Sequence, residues 1–139
     1  MNNLLEKLER VLGMSDTGSL NGLEYEFNPI PGEVEVVQVA FKDREELPIY
    51  LTQSDSQMLC ICYLWDDEEV ISDKRAEMLE VMLDMNIPMP LSSFGRIGSR
   101  YTIFGALSLE SSAESIAREL TVLSDNALDA IDAMSEYLN

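Results

Sequence analysis

Two cysteines and a run of acids are the residues closest to chemistry in this chain. Cys60 and Cys62 lie two apart, and Asp66-Asp67-Glu68-Glu69 follows almost at once. Thiols suggest nucleophilic or redox work. Carboxylates suggest a hard cation such as Ca²⁺ or Mg²⁺. Neither reading gains support from spacing. On a strand, residues two apart share a face, and a disulfide between such neighbours would be strained. The pair is not Cys-x-x-Cys, and no second pair exists to complete a zinc site. Buried, reduced cysteines are the expectation, which fits a cytoplasmic protein. The acids lack EF-hand spacing, and consecutive side chains splay apart. A solvated turn before a helix N-terminus suits them better, since negative charge is favourable there.

Histidine is absent. That removes the residue most used for acid–base catalysis and for binding transition metals. No Gly-x-Ser-x-Gly, P-loop or dinucleotide fingerprint occurs. No catalytic residue, metal or cofactor is assigned, and the expectation is a protein that is not an enzyme.

Two other features point toward binding. Met78, Met82, Met85 and Met89 cluster in one segment, and methionine is common on adaptable binding surfaces. Core packing is the competing account of these four. From Met85 to Leu109 there is no acid at all, and Arg96 and Arg100 sit in that window. Gly95-Arg96-Ile97-Gly98 matches the GxxG of a KH loop, but four residues are a weak match and a hairpin turn explains them. Met78, Met82, Met85, Met89, Arg96 and Arg100 are the candidate partner-binding residues. The alternative is a small-ligand- or metal-binding domain or enzyme, built on the acidic turn 66–69 or on Arg96 and Arg100.

The chain has 139 residues, 26 acids against 9 bases and a net charge of −17. That length suits a single domain, 1–139. Such a field repels phosphate backbones and anionic membrane surfaces, so neither nucleic acid nor membrane is an expected partner. No run approaches the roughly 18 apolar residues of a membrane span. The N-terminus lacks a basic region followed by an apolar core, so no signal peptide is expected.

The positioning elements follow from periodicity. Leu4, Leu5, Leu8, Val11 and Leu12 predict a helix over 3–12, with Gly13 as its cap. Residues 14–22 read as a loop. A short strand at Leu23–Phe27 is broken by Asn28-Pro29-Ile30-Pro31-Gly32. Glu33–Phe41, Leu47–Thr52 and 57–65 predict an antiparallel meander, because their short loops allow only neighbouring returns. In the last of these, Met58, Cys60, Cys62 and Leu64 share one face; Leu59, Ile61, Tyr63 and Trp65 share the other. Ser72 is the expected N-cap of a Met-rich helix over 73–86. Strands at 91–95 and 100–108 flank a glycine-containing turn. Ser111-x-x-Glu114 reads as a capping box opening a helix that runs to Leu138. The fold class is α+β: an antiparallel sheet of about five to six strands with N-terminal, middle and long C-terminal helices.

This layout resembles the class I chaperones of type III secretion, which are small acidic α+β proteins, usually dimers, that hold a stretch of a client chain. The likeness covers nearly the whole chain through element order, size and charge, without a specific motif. In sequence the chain more closely resembles the YjfI-type family of uncharacterised bacterial proteins. That resemblance implies a cytosolic accessory role near phage-shock-type membrane-stress proteins and assigns no chemistry. The expected function is a non-enzymatic, chaperone-like protein-binding module, a homodimer with a protein partner or client segment.

Overall fold

The computed structural model describes Leu8, residues 17–20 and residues 22–139. The helix expected over 3–12 lies outside these residues except for Leu8, which is helical and buried in the core.

Seven antiparallel strands form one sheet: β1 (Thr17–Leu20), β2 (Leu23–Ile30), β3 (Val36–Phe41), β4 (Ile49–Gln53), β5 (Met58–Asp66), β6 (Ser93–Ile97) and β7 (Arg100–Leu107). Their order across the sheet is β1-β2-β3-β4-β5-β7-β6. Two α-helices complete the described fold, α1 (Arg75–Asn86) and α2 (Ala113–Ala133). The α+β class and the meander β3-β4-β5 are as the sequence predicts.

Several boundaries differ, each for a physical reason. β1 lies in the stretch expected to be a loop; it is held by pairing with β2 rather than by an apolar pattern of its own. β2 continues through Pro29, the first of the two prolines expected to break it, which pairs with Val37, and ends before Pro31. β1 pairs only with Leu23–Glu26 of β2. Among the described residues nothing pairs with Pro29 on the outer side of β2, so its missing N–H breaks no described ladder. The hairpin β6-β7 turns in two residues, with Gly98 at φ +61 in the first central position. A type II′ turn needs glycine there.

Both helix starts are displaced. Ser72 does not cap α1; it opens a 3-10 turn, Ser72–Lys74, tightened by a bond from Lys74 N–H to the Ile71 carbonyl at 2.9 Å. The cap of α2 is Ser112, one residue later than expected, whose hydroxyl accepts the Ser115 N–H at 3.1 Å. α2 also ends earlier, and a 3-10 turn at Ser135–Tyr137 carries the chain on to a bridge between Leu138 and Val70.

The helices lie on one face of the sheet. Ile116, Leu120, Leu123 and Ala127 of α2 pack on Ile49, Leu51, Met58, Cys60, Cys62 and Ile103. A second cluster gathers Trp65, Phe94 and Tyr101 with Met78 and Met82 of α1 and Met134. At roughly 1.5–3 kcal/mol per fully buried large apolar side chain, these two clusters supply most of the drive to fold.

β5 reaches both clusters through an irregularity. Its register with β7 shifts between Tyr63 and Trp65. A bulge adds one residue and reverses the alternation beyond it. Trp65 therefore leaves the face of Leu59, Ile61 and Tyr63, where simple alternation puts it, and is buried in the second cluster.

Candidate functional site

The acidic turn is occupied by its own structure. Asp66 caps the 3-10 turn Asp67–Glu69: its carboxylate accepts the Glu68 N–H at 3.0 Å, and Glu69 accepts the Asp66 N–H at 3.3 Å. The Ser99 hydroxyl donates to Asp66 at 2.8 Å. Asp67 accepts from Arg75 Nε at 2.9 Å and from the Tyr101 hydroxyl at 2.8 Å. These bonds hold both carboxyls below their ordinary range, the Glu68 N–H acting most on Asp66 and Arg75 most on Asp67. Among the described residues no cluster of three or more Cys, Asp or Glu is placed to hold a cation.

The thiols are equally engaged in packing. Cys60 and Cys62 are free and buried on the helix-covered face. Burial pushes each thiol up to about 12. The thiolate is the nucleophile, so this environment suppresses reactivity.

The four methionines divide. Met78 and Met82 are buried in the second cluster, so their part is packing in this fold. Met85 and Met89 are half-buried and, with Pro88, Asn126 and Asp129, line a gap between α1 and α2. The apolar side chains of α1 that reach solvent are others. Leu83 is 68% exposed, and Ile87, just past the helix end, is 88% exposed. Leu79 lies a turn before Leu83, so the three form a stripe at i, i+4 spacing. Beside this stripe runs a groove of about 300 Å³ whose lining is mostly apolar: Leu79, Met82, Leu83, Phe94 and Tyr101, with Asn86 and Arg96 at its polar points. Asn86 Oδ1 accepts the Phe94 N–H at 2.7 Å and so covers part of the outer edge of β6.

Arg96 and Arg100 are adjacent in sequence terms but lie on opposite faces of the sheet. Arg96 stands 5.4 Å from the Tyr101 ring centroid, on the groove side. Arg100 stands 3.9 Å from the Tyr63 ring centroid, on the other face. Both contacts are cation–π contacts. Neither arginine belongs to an ion pair among the described residues; those pairs use Lys42, Arg44, Arg75 and Arg118.

The face that carries Arg100 has no helix on it among the described elements. Tyr50, Leu59, Ile61, Tyr63 and Phe104 are half-buried there and belong to neither core cluster. Tyr50 and Tyr63 meet edge to face at 5.9 Å, and Gln38 donates to the Tyr50 hydroxyl at 3.2 Å. Ile30 and Ile97 extend this face at its margins, 40% and 46% exposed.

One titratable group escapes the sequence reading altogether. Glu119 of α2 is 3% exposed, and its Oε2 has no hydrogen-bond partner. Burial raises its pKa. The signal was present: Glu119 falls between Ile116, Leu120 and Leu123 on the apolar side of α2.

Comparison with known proteins places the chain in a group. Residues 3–138 match a family model described as an uncharacterized protein conserved in bacteria (DUF2170). Over 53 residues the chain is 51% identical to the uncharacterized protein YjfI of Escherichia coli K12, and equally to that of strain O157:H7. Each match covers 35% of this chain and 40% of the relative, so the chain spans well under half the length of the curated relatives it matches. Among the described residues no helix is long and apolar enough to cross a membrane.

Proposed function

This chain belongs to the DUF2170 family of proteins conserved in bacteria, and we propose that it acts as a non-enzymatic, chaperone-like module that binds a protein partner. The observation that carries this reading is the exposed pair Leu83 and Ile87, continued by half-buried Leu79, beside an apolar groove. Large apolar side chains held in water on an ordered helix cost solvation and gain only when covered. A partner helix laid along such a stripe would present anchors at matching i, i+4 spacing. Arg96 at the groove wall would receive a carboxylate of that partner.

The reading is one of binding without chemistry. The acids of 66–69 are tied into a cap and into Arg75 and Tyr101, and the cysteines are buried. The resemblance to the YjfI-type family extends the proposal to a cytosolic site of action beside phage-shock-type membrane-stress proteins. The likeness to secretion chaperones extends it to a homodimer.

The test is photo-crosslinking in the native bacterium, with a crosslinker at Leu83 or at Ile87. The expected result is one protein captured from both positions and not from a control position at Asp55. The double variant Leu83→Glu, Ile87→Glu should lose that capture while keeping its circular dichroism spectrum. Capture no stronger from Leu83 and Ile87 than from the control overturns the reading.

A further inference from the structure

The geometry points to an extended segment of the protein partner, added as a further antiparallel strand along the outer edge of β6. It carries an acidic residue opposite Arg96 and a large apolar residue two positions later, opposite Phe94. This rests on the protein-binding reading above and names the form of the partner that enters the groove. The partner's helix, in that reading, covers Leu83 and Ile87; the extended segment takes the space between them and β6.

The first ground is the backbone. β6 pairs with β7 along Ser93–Ile97, and no described strand lies on its other side. In an antiparallel ladder the backbone groups of successive residues point to opposite edges. Asn86 takes the Phe94 N–H, so Phe94 points outward, and so does Arg96 two residues on. The Phe94 carbonyl and both the N–H and the carbonyl of Arg96 therefore face away from β7, and they bond to no other described element. Another extended backbone presents donors and acceptors at the spacing this row needs. The stretch also lacks the usual guards of an edge: it has no proline, no lysine and no bulge. Asn86 sets the limit, because pairing ends at the Phe94 carbonyl.

The second ground is what an added strand would meet. Side chains directly opposite one another across a ladder share a face. Residues opposite Phe94 and Arg96 therefore project to the groove side. Beside Phe94 the groove of about 300 Å³ is walled by Leu79, Met82 and Leu83, which suits a large apolar side chain. Opposite Arg96 the fit is to a carboxylate. Arg96 belongs to no ion pair among the described residues, and its guanidinium lies 5.4 Å from the Tyr101 ring centroid. A partner residue there would stand about 5.5 Å away between Cα atoms, within reach of that guanidinium. Residues 85–109 hold no acid, so in a chain of net charge −17 this window repels an acidic segment least.

The experiment pans a phage-displayed library of random linear peptides against the full chain. The enriched sequences should share the order acid-x-apolar. Synthesised and bound, they should slow hydrogen exchange at the Arg96 amide by roughly tenfold or more, read by NMR. Methylating the peptide nitrogen of the acidic residue, whose N–H would donate to the Arg96 carbonyl, should weaken binding by roughly tenfold. Methylating the nitrogen of the next residue, whose N–H points away, should not. Arg96→Glu should weaken the same peptides by roughly tenfold or more, and panning on it should enrich base-x-apolar instead. Arg96→Lys should stay within a few-fold of wild type. Arg96 is exposed, so these variants keep the fold. Peptides that lose binding on Leu83→Glu, Ile87→Glu yet leave the Arg96 amide exchanging as in the free protein overturn the added strand, while the protein-binding reading stands. Peptides indifferent to Arg96→Glu, or no enrichment at all, overturn the strand too, and crosslinking from Leu83 and Ile87 then decides the protein-binding reading on its own.

Discussion

The Glu119 carboxyl occupies the space that a side chain at position 105 would need. A Cβ placed on Gly105 would lie 2.8 Å from Glu119 Cδ and 3.0 Å from the Leu91 carbonyl oxygen. Gly105 sits inside β7 and pairs with Cys60 of β5. Glycine within a strand often marks a place where another group approaches the backbone. Here the approaching group is an acid carried by α2, so the pair fixes how closely that helix lies on the sheet.

Gly105→Ala should therefore destabilise the protein, although alanine suits a strand no worse than glycine. The added methyl forces Glu119 or the 91 carbonyl to move within a packed layer. Overpacking of this kind costs about 1–3 kcal/mol. Urea unfolding followed by circular dichroism checks it; a midpoint equal to that of wild type means Glu119 swings away freely.

Two acids should shape the pH dependence of stability in opposite directions. The folded-state pKa of Glu119 is raised by burial from an ordinary 4.5. Its ionised form is the one burial disfavours, so stability is full below the ordinary value and falls as pH rises through the raised one. Asp67 is the reverse. Arg75 and the Tyr101 hydroxyl lower its pKa from an ordinary 3.8. Its contribution is present above that value and is lost as pH falls through the lowered one. Glu119→Gln should flatten the fall on the neutral side, and Asp67→Asn should flatten the rise on the acid side. Thermal melts from pH 3 to pH 8 on the two variants separate the arms. Parallel curves for wild type and Glu119→Gln would show that the carboxyl is not buried in solution.

Much of the fold is legible in the sequence because its signals are local. The apolar run at 57–65, the β-branched run ending at Phe41 and the threes-and-fours of Ile116, Leu120, Leu123 and Ala127 each specify an element. What the sequence hides is set by partners distant in the chain. Trp65 changes face because β5 must adjust its register to β7, some forty residues later. β1 exists because β2 offers it an edge. The Met-rich helix is apolar around most of its circumference, so composition alone cannot say which side is covered. Trp65 and Tyr101 decide that by burying Met78 and Met82, which leaves Leu83 and Ile87 outside. Arg96 and Arg100 look like one site in a single acid-free window. The alternation of side chains along β6 and β7 sends them to opposite faces.

Asn86 offers a last test, at the edge of the sheet. β6 is the outermost strand on its side, paired only with β7. An edge strand exposes backbone donors that can recruit another chain. Asn86, at the end of α1, accepts the Phe94 N–H and is half-buried beside it. Asn86→Ala removes that acceptor and leaves the donor facing a partly apolar groove. The loss should cost about 1 kcal/mol in unfolding free energy, the usual net worth of one such hydrogen bond. It should also raise the rate of aggregation near the melting midpoint, measured by light scattering during a thermal ramp. Asn86→Asp keeps an acceptor at the same reach and should stay close to wild type in both measurements. If Asn86→Ala and Asn86→Asp aggregate equally, the side-chain oxygen of residue 86 is not what guards the edge.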